Sequence, residues 1–268
     1  MKQSKTILIT GAGSGIGRDA SLALAARGHQ VVATTQDEAQ ASALRALVAP
    51  LVAQGQRIQV IKLDILLAAD RQQVLDMDLD VLINNAGVGE SGSLAEVDVD
   101  RIRQVFEVNV FATLELTQLV LRGMIQRRRG TVLLVSSIAG RIPMPFLMPY
   151  GMSKFALSAA GAGLRAELDQ LRCNVHVALI EPGAIHTGFN QAMTARKYAW
   201  MGERSYFAQQ AAAMQQKEAR TFKLLEAKDT RSIVAQIVKA AEAVRPRLRY
   251  VAPWLQGLGV RLARICGV

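Results

Sequence analysis

Hydrophobic positions along this chain fall into short continuous runs separated by longer stretches of helical period. The short runs are Thr6–Ile9, Val31–Thr35, Ile58–Leu63, Val81–Asn84, Val132–Ser136, Val175–Ile180 and Arg249–Ala252. Strands covered by helices on both faces read as near-continuous Val/Ile/Leu rather than as alternation, and these runs do. Between them, apolar residues recur at helical spacing over Ile16–Arg27, Glu38–Gln54, Asp70–Asp76, Asp98–Arg128, from about Tyr150 to Leu171, and over Thr230–Val244. Strands alternating with helices predict βαβ units and a parallel sheet. The expected architecture is α/β, one doubly wound domain over residues 1–268, with seven parallel strands and helices on both faces. Residues 186–226 break the alternation and read as a looser insertion. Residues 245–268 read as a basic amphipathic tail.

Composition supports a folded chain. Half of the 268 residues are hydrophobic and 20% are charged, enough apolar surface for a large core. The two cysteines, Cys173 and Cys266, lie far apart, which predicts neither a disulfide framework nor a metal cluster and suits a cytoplasmic setting. MKQSKTILIT lacks the pattern of a secretory signal, and no uninterrupted apolar run is long enough for a bilayer. The net charge is +10. Its densest run, Arg127-Arg128-Arg129 before Gly130, closes a helical pattern, where cations complement the helix C-terminus. No zinc-finger spacing or aromatic-basic motif accompanies it, so no nucleic-acid partner is expected.

Two short stretches carry candidate chemistry. Thr10–Gly17 reads TGAGSGIG, with glycines at Gly11, Gly15 and Gly17, between the first strand and first helix. Glycines there permit a tight turn, close backbone approach to a pyrophosphate, and close helix–sheet packing. The anion then sits at the helix N-terminus, against free N–H groups. Such a loop defines a Rossmann-type dinucleotide site, with Thr10, Gly11, Ser14, Gly15, Ile16 and Gly17 as its binding residues. The second stretch, PFLMPYGMSKFA, sets Tyr150 and Lys154 four residues apart, on one face if a helix starts there. A phenol titrates near 10, and a cation beside it favours the phenolate.

In order along the chain, TGAGSGIG, NNAG at Asn84–Gly87, Ser137 before Tyr150 and Lys154, and Pro182-Gly183 after the sixth strand resemble the short-chain dehydrogenase/reductase family. The resemblance covers about residues 5–190 and is nearest to the 17-beta-hydroxysteroid and retinol dehydrogenase branch. It implies an NAD(P)-dependent oxidoreductase interconverting an alcohol and a ketone or aldehyde. In that family Tyr150 carries the proton, Lys154 lowers its pKa and bonds the nicotinamide ribose, and Ser137 bonds the substrate oxygen. Ser136, adjacent, would support the site. Asn109 would belong to the proton relay, beside a local helix distortion. Asn84 would stabilise the central sheet, and Asn85, Ala86 and Gly87 would line the cofactor. Asp64 would bond the adenine with Ile65 beside it. Pro182, Gly183, Ile185 and Thr187 would hold the nicotinamide end. His186 reads as a loop histidine at the substrate rim.

NAD users carry an acid at the end of the second strand to bond the ribose 2′-OH. Thr35 stands there, followed by Gln36, and both are donors for a 2′-phosphate, with Arg18 or Arg45 nearby. Asp37 is the competing feature, a displaced selector for NAD. NADP(H) is favoured over NAD(H), and no metal is expected. Uncharged residues 142–149, and Phe189, Met193, Tyr198, Trp200, Met201, Tyr206, Phe207 and Met214, predict a lipophilic substrate wall and a bulky hydrophobic alcohol or ketone. A homodimer or homotetramer is expected. The tail from Arg245 has five arginines and no acid, with Trp254, Leu255, Leu258, Leu262 and Ile265 at helical spacing. It reads either as a helix docked on the body or a second subunit, or as an interfacial helix at the inner face of a membrane. Two other functions compete: a catalytically silent NAD(P)-binding redox sensor, against which both Tyr150 and Lys154 speak, and a sugar-nucleotide epimerase, against which the glycine spacing speaks.

Overall fold

The computed structural model describes residues 4–267. Residues 1–3 and 268, included in the whole-chain readings above, lie outside the described residues. In chain order, β1 (Thr6–Ile9), α1 (Gly15–Ala26), β2 (Gln30–Thr35), α2 (Glu38–Ala53), β3 (Ile58–Lys62), α3 (Ala68–Gln72) and β4 (Val81–Asn84) form the first half. The second half contains α4 (Val99–Phe106), α5 (Thr113–Gln126), β5 (Gly130–Val135), α6 (Met148–Leu171), β6 (Val175–Pro182), α7 (Phe189–Trp200), α8 (Ala211–Leu225), α9 (Arg231–Glu242), β7 (Arg249–Ala252) and α10 (Trp254–Ile265). All seven strands pair in parallel in the order β3-β2-β1-β4-β5-β6-β7. The order reverses between β1 and β4, and a crevice opens at the carboxyl ends of strands on either side of such a point.

Pleating sends alternate residues of each strand to opposite faces, and both faces are covered. Ile7 and Ile9 join a core with Leu24 of α1, Leu44 of α2 and Ile233 and Ile237 of α9. Leu8 points the other way, into a core with Leu116 and Met124 of α5 and Leu157 of α6. Each such side chain contributes about 1.5–3 kcal/mol by leaving water.

Three elements differ from the pattern reading. The single helix expected over Asp98–Arg128 is two α-helices joined by a π-helical turn, Glu107–Ala112. Thr113 Oγ1 donates to the Val108 carbonyl five residues back, 3.1 Å away. Val99–Gln126 is also long and apolar enough to cross a membrane by length and composition, with half of its most apolar window buried against the protein. The stretch read as loose is mostly two helices, α7 and α8. They are linked by Lys197, 2% exposed, which pairs with Glu218, and by Tyr198 Oη donating to Glu218 Oε2 at 3.1 Å. Finally, α6 begins at Met148 rather than Tyr150, because Pro149 falls in its first turn, where a missing N–H costs nothing. The arginine run sits at the end of α5, with Arg127 paired to Asp78 and Arg129 near Asp80.

Candidate active site

The glycine loop leaves β1 at the switch point. Gly11 has φ +65, and a Cβ there would stand 2.8 Å from Ala86 Cα. A Cβ on Gly17 would stand 2.4 Å from both Asn85 Nδ2 and the Gly11 carbonyl. Only glycine permits this approach of the first helix turn to the β1 and β4 loops. The two loops are also tied by side chains. Thr10 Oγ1 accepts from Asn85 N and Ala86 N, each at 3.0 Å, and Asn85 Nδ2 donates to the carbonyls of Thr10 and Gly11 at 2.9 and 3.0 Å. Asn84 is buried and donates to Thr117 Oγ1 on α5 at 2.9 Å, which anchors β4 from behind.

Across the crevice, β5 ends at Val135 and Ser136 and Ser137 follow. Ser137 Oγ accepts from Ala139 N at 3.1 Å and donates to the Pro182 carbonyl at 3.3 Å, which holds it at the cavity edge. Ser136 points back, donating to the Lys154 carbonyl at 3.1 Å and sharing a 2.7 Å contact with Ser158. The first two turns of α6 bring in Tyr150 and Lys154. Lys154 is 4% exposed, its Nζ donates to the Val135 carbonyl at 2.9 Å and lies 5.5 Å from the Tyr150 ring centroid. A side chain at Gly87 would begin 3.1 Å from Asn109 Oδ1 and 3.5 Å from Lys154 Nζ, so both polar ends flank one point.

Burial dominates the electrostatics here. It pushes the Tyr150 phenol well above its ordinary value, against a hydrogen bond with Ser137 that acts in the opposite direction. It draws the Lys154 ammonium down to about 8. Desolvation disfavours the charged form of both groups.

Asn109 sits in the π-helical turn, 1% exposed. Its Oδ1 accepts from Val88 N at 2.8 Å, and its Nδ2 donates to the Val88 carbonyl at 2.9 Å and to Ser153 Oγ at 3.0 Å. Ser153 Oγ in turn donates to the Tyr150 carbonyl at 2.7 Å. Asn109 thus ties the segment after β4 to the start of α6. Replacing it with Ala leaves both Val88 backbone groups unpaired, and a loss of about 2 kcal/mol in urea unfolding is expected. A loss within measurement error would show that these bonds are not needed.

One cavity of about 1010 Å³ brings most of these groups together. Gly11, Ser14, Gly15, Ile16, Asn85, Ala86 and Gly87 line one end, Ser137, Tyr150 and Lys154 the middle, and Pro182, Gly183, Ile185 and Thr187 the far wall. Six proposed cofactor residues do not line it. Thr10 and Gly17 act behind the loop. Ile65 belongs to the core, and Asp64 Oδ1 caps Leu66 N at 2.9 Å. Thr35 is fully buried and its hydroxyl donates to the Asp37 carbonyl at 3.0 Å, so only Gln36, the sixth off-cavity position, faces outward at that strand end. Both Asp37 carboxylate oxygens are held by Gln40, through its N and Nε2, each at 2.8 Å. Arg18 pairs with Asp19, and Arg45 with Glu38. His186 is exposed and lies 2.9 Å from Glu226.

The apolar wall is only partly the expected one. Ile142, Met144 and Leu147 line the cavity, as do Phe189 and Met193. Phe146 instead packs edge-on against Phe207, centroids 5.0 Å apart, and Trp200 lies under Arg101. Phe222 and Leu225 of α8 and Leu255, Gln256 and Val260 of α10 complete the wall. No local signal marks them, since they come from segments far along the chain. Among the described residues no cluster of three or more metal-ligating side chains occurs.

Fold and cavity define a doubly wound protein with a glycine cradle at its switch point. The chain belongs to the short-chain dehydrogenase family, whose model matches residues 5–198. It is similar to retinol dehydrogenase 8 of Homo sapiens, 34% identical over 198 residues, which cover 72% of this chain and 62% of that protein. Estradiol 17-beta-dehydrogenase 1 of Rattus norvegicus is 33% identical over 260 residues, covering 92% of this chain and 73% of that one. Among solved structures, a short chain dehydrogenase/reductase from Burkholderia phymatum in complex with NAD superposes with a TM-score of 0.80 at 26% identity, covering 97% of this chain and 93% of that one.

Proposed function

We propose that the protein is an NAD(P)-dependent oxidoreductase that interconverts a hydroxyl and a carbonyl on a bulky hydrophobic substrate. The observation that carries this reading is one cavity in which Ser137, Tyr150 and Lys154 face a glycine cradle across an apolar wall. The cradle fits a dinucleotide: Gly11, Ser14, Gly15 and Ile16 line the cavity at the N-terminus of α1, and Gly11 and Gly15 carry no side chain to fill it. When bound, the nicotinamide supplies the hydride chemistry. Tyr150 donates its proton to the carbonyl oxygen, and Ser137 Oγ donates a hydrogen bond to the same atom as charge develops on it. A phenol kept protonated by burial suits that donation. Lys154 stabilises the phenolate that remains, and Asn109, next to it, belongs to the path that returns the proton.

The first test is a substrate screen. Long-chain, polycyclic and aromatic ketones should turn over, and activity only on small sugars or hydroxy acids would sink the reading. The pH profile follows from Lys154. Its charge is needed and is lost as pH rises through about 8, so kcat/KM for ketone reduction should fall above that pH. A rate level up to the ordinary lysine range would mean that the charge is not used.

For the cofactor we read NADP(H) over NAD(H). The strand end carries no carboxylate at Thr35, and Gln40 occupies both oxygens of Asp37, the rival selector. Comparing hydride-transfer rates with NADPH and NADH checks this. A preference for NADH of about tenfold, or 1.4 kcal/mol, would reverse it.

A further inference from the structure

The outer face of α10 is an apolar surface outside the catalytic groups. Trp254, Leu255, Leu258, Leu262 and Ile265 are 70%, 63%, 43%, 54% and 81% exposed. At 3.6 residues per turn they fall within about 100° of the helix circumference. The opposite side faces the protein: Val260 is buried, and a Cβ on Gly257 would meet Val251 Cγ1 at 2.7 Å. α10 is therefore docked on the body by its small residues and presents its large ones outward. Gln256 Nε2 donates to the Leu225 carbonyl at 2.8 Å, which sets the stripe beside Leu224 and Leu225, 83% and 52% exposed.

Charge decides what covers this face. Arg261 and Arg264 are exposed on α10, Lys223 and Lys228 flank the two leucines, and residues 243–267 hold five arginines and no acid. A second copy meeting the face about a two-fold axis would set cations against cations, which is unfavourable. An anionic bilayer complements them and accepts the apolar stripe at the same time. We propose that α10 with the end of α8 is a docking surface for an anionic lipid membrane. Leu255 belongs both to the stripe and to the cavity wall, so docking would place the cavity mouth at the lipid surface. The inference rests on exposure and charge, and does not depend on the reaction read above.

Co-sedimentation of the full chain with phosphatidylcholine vesicles, with and without phosphatidylglycerol, tests it. The wild type should pellet with the anionic vesicles and lose binding as salt rises. The triple variant Leu258→Ser, Leu262→Ser, Ile265→Ser, at positions that do not line the cavity, should bind at least about tenfold more weakly with an unchanged melting temperature. Arg261→Gln with Arg264→Gln should weaken binding to anionic vesicles only. Failure of the wild type to pellet, or equal binding by the triple variant, overturns the proposal. So does a triple variant that falls to a smaller oligomer in sedimentation velocity while binding vesicles as before, which would assign the face to a second copy.

Discussion

Replacing Tyr150 with Phe should lower turnover by about a thousandfold, the middle of the range for losing a positioned proton donor. The ring is retained, so its tilted contact with Phe189, centroids 5.6 Å apart, survives. The backbone bonds from Tyr150 N to the Glu90 carbonyl and from Ser153 Oγ to the Tyr150 carbonyl survive too. Only the hydroxyl and its hydrogen bond with Ser137 are removed. Dinucleotide affinity, measured by fluorescence titration, should therefore change little, while kcat collapses. Because burial holds this phenol above its ordinary value, it is a proton donor across the neutral range, and no ordinary group replaces it. Turnover within tenfold of wild type would show that another group carries the proton. A silent dinucleotide-binding protein would show no turnover in either form and the same dinucleotide affinity in both.

The second large effect is on stability. Glu181 is fully buried near the end of β6, between two cations. Arg141 Nη1 donates to Oε2 at 2.9 Å, and Arg249 pairs with Oε1. Arg141 directly follows the 3₁₀ turn that Ser137 caps, and Pro182, next to Glu181, accepts the Ser137 hydroxyl. This triad binds the Ser137 loop to β6 and β7. Glu181→Ala leaves Arg141, 13% exposed, without its counter-charge, in a site where its Nε has no partner either. Removing one member of a buried pair costs about 3–5 kcal/mol. Arg249 is 30% exposed and can turn to water, so about 3 kcal/mol is expected. Urea unfolding measures it, and a shift below about 1 kcal/mol, as for a surface pair, would deny the triad its role. Turnover should fall further than the folded fraction does, because Ser137 loses its anchor.

Most of the sheet was legible because its inner strands, β2, β1, β4, β5 and β6, are buried on both faces. Such strands carry an unbroken apolar signal, as at Val31–Thr35, and the helices between them carry the helical period. The π-helical turn was foreshadowed only by Asn109, a poor helix-interior residue in a run of apolar ones. The α7–α8 pair was not legible. Its hydrophobic spacing is weak, and its helices are held by the buried Lys197–Glu218 pair, which joins residues from two helices and leaves no periodic trace. The wall residues Phe222, Leu225 and Leu255 were missed for the same reason.

By itself, the sequence marked the candidate positions: the glycines at 11 and 17, the Tyr150–Lys154 spacing, the Ser137 that precedes it, and the order of strands and helices. These are local, because a tight turn or one helix turn sets neighbours within four residues. The tertiary structure decided what those positions experience. Burial, a property of everything packed around them, raises Tyr150 and lowers Lys154. Folding also chose which apolar residues face the cavity, which face the core, and which, on α10, are left facing outward. Desolvation and exposure are set by the whole chain at once, and no short stretch of residues encodes them.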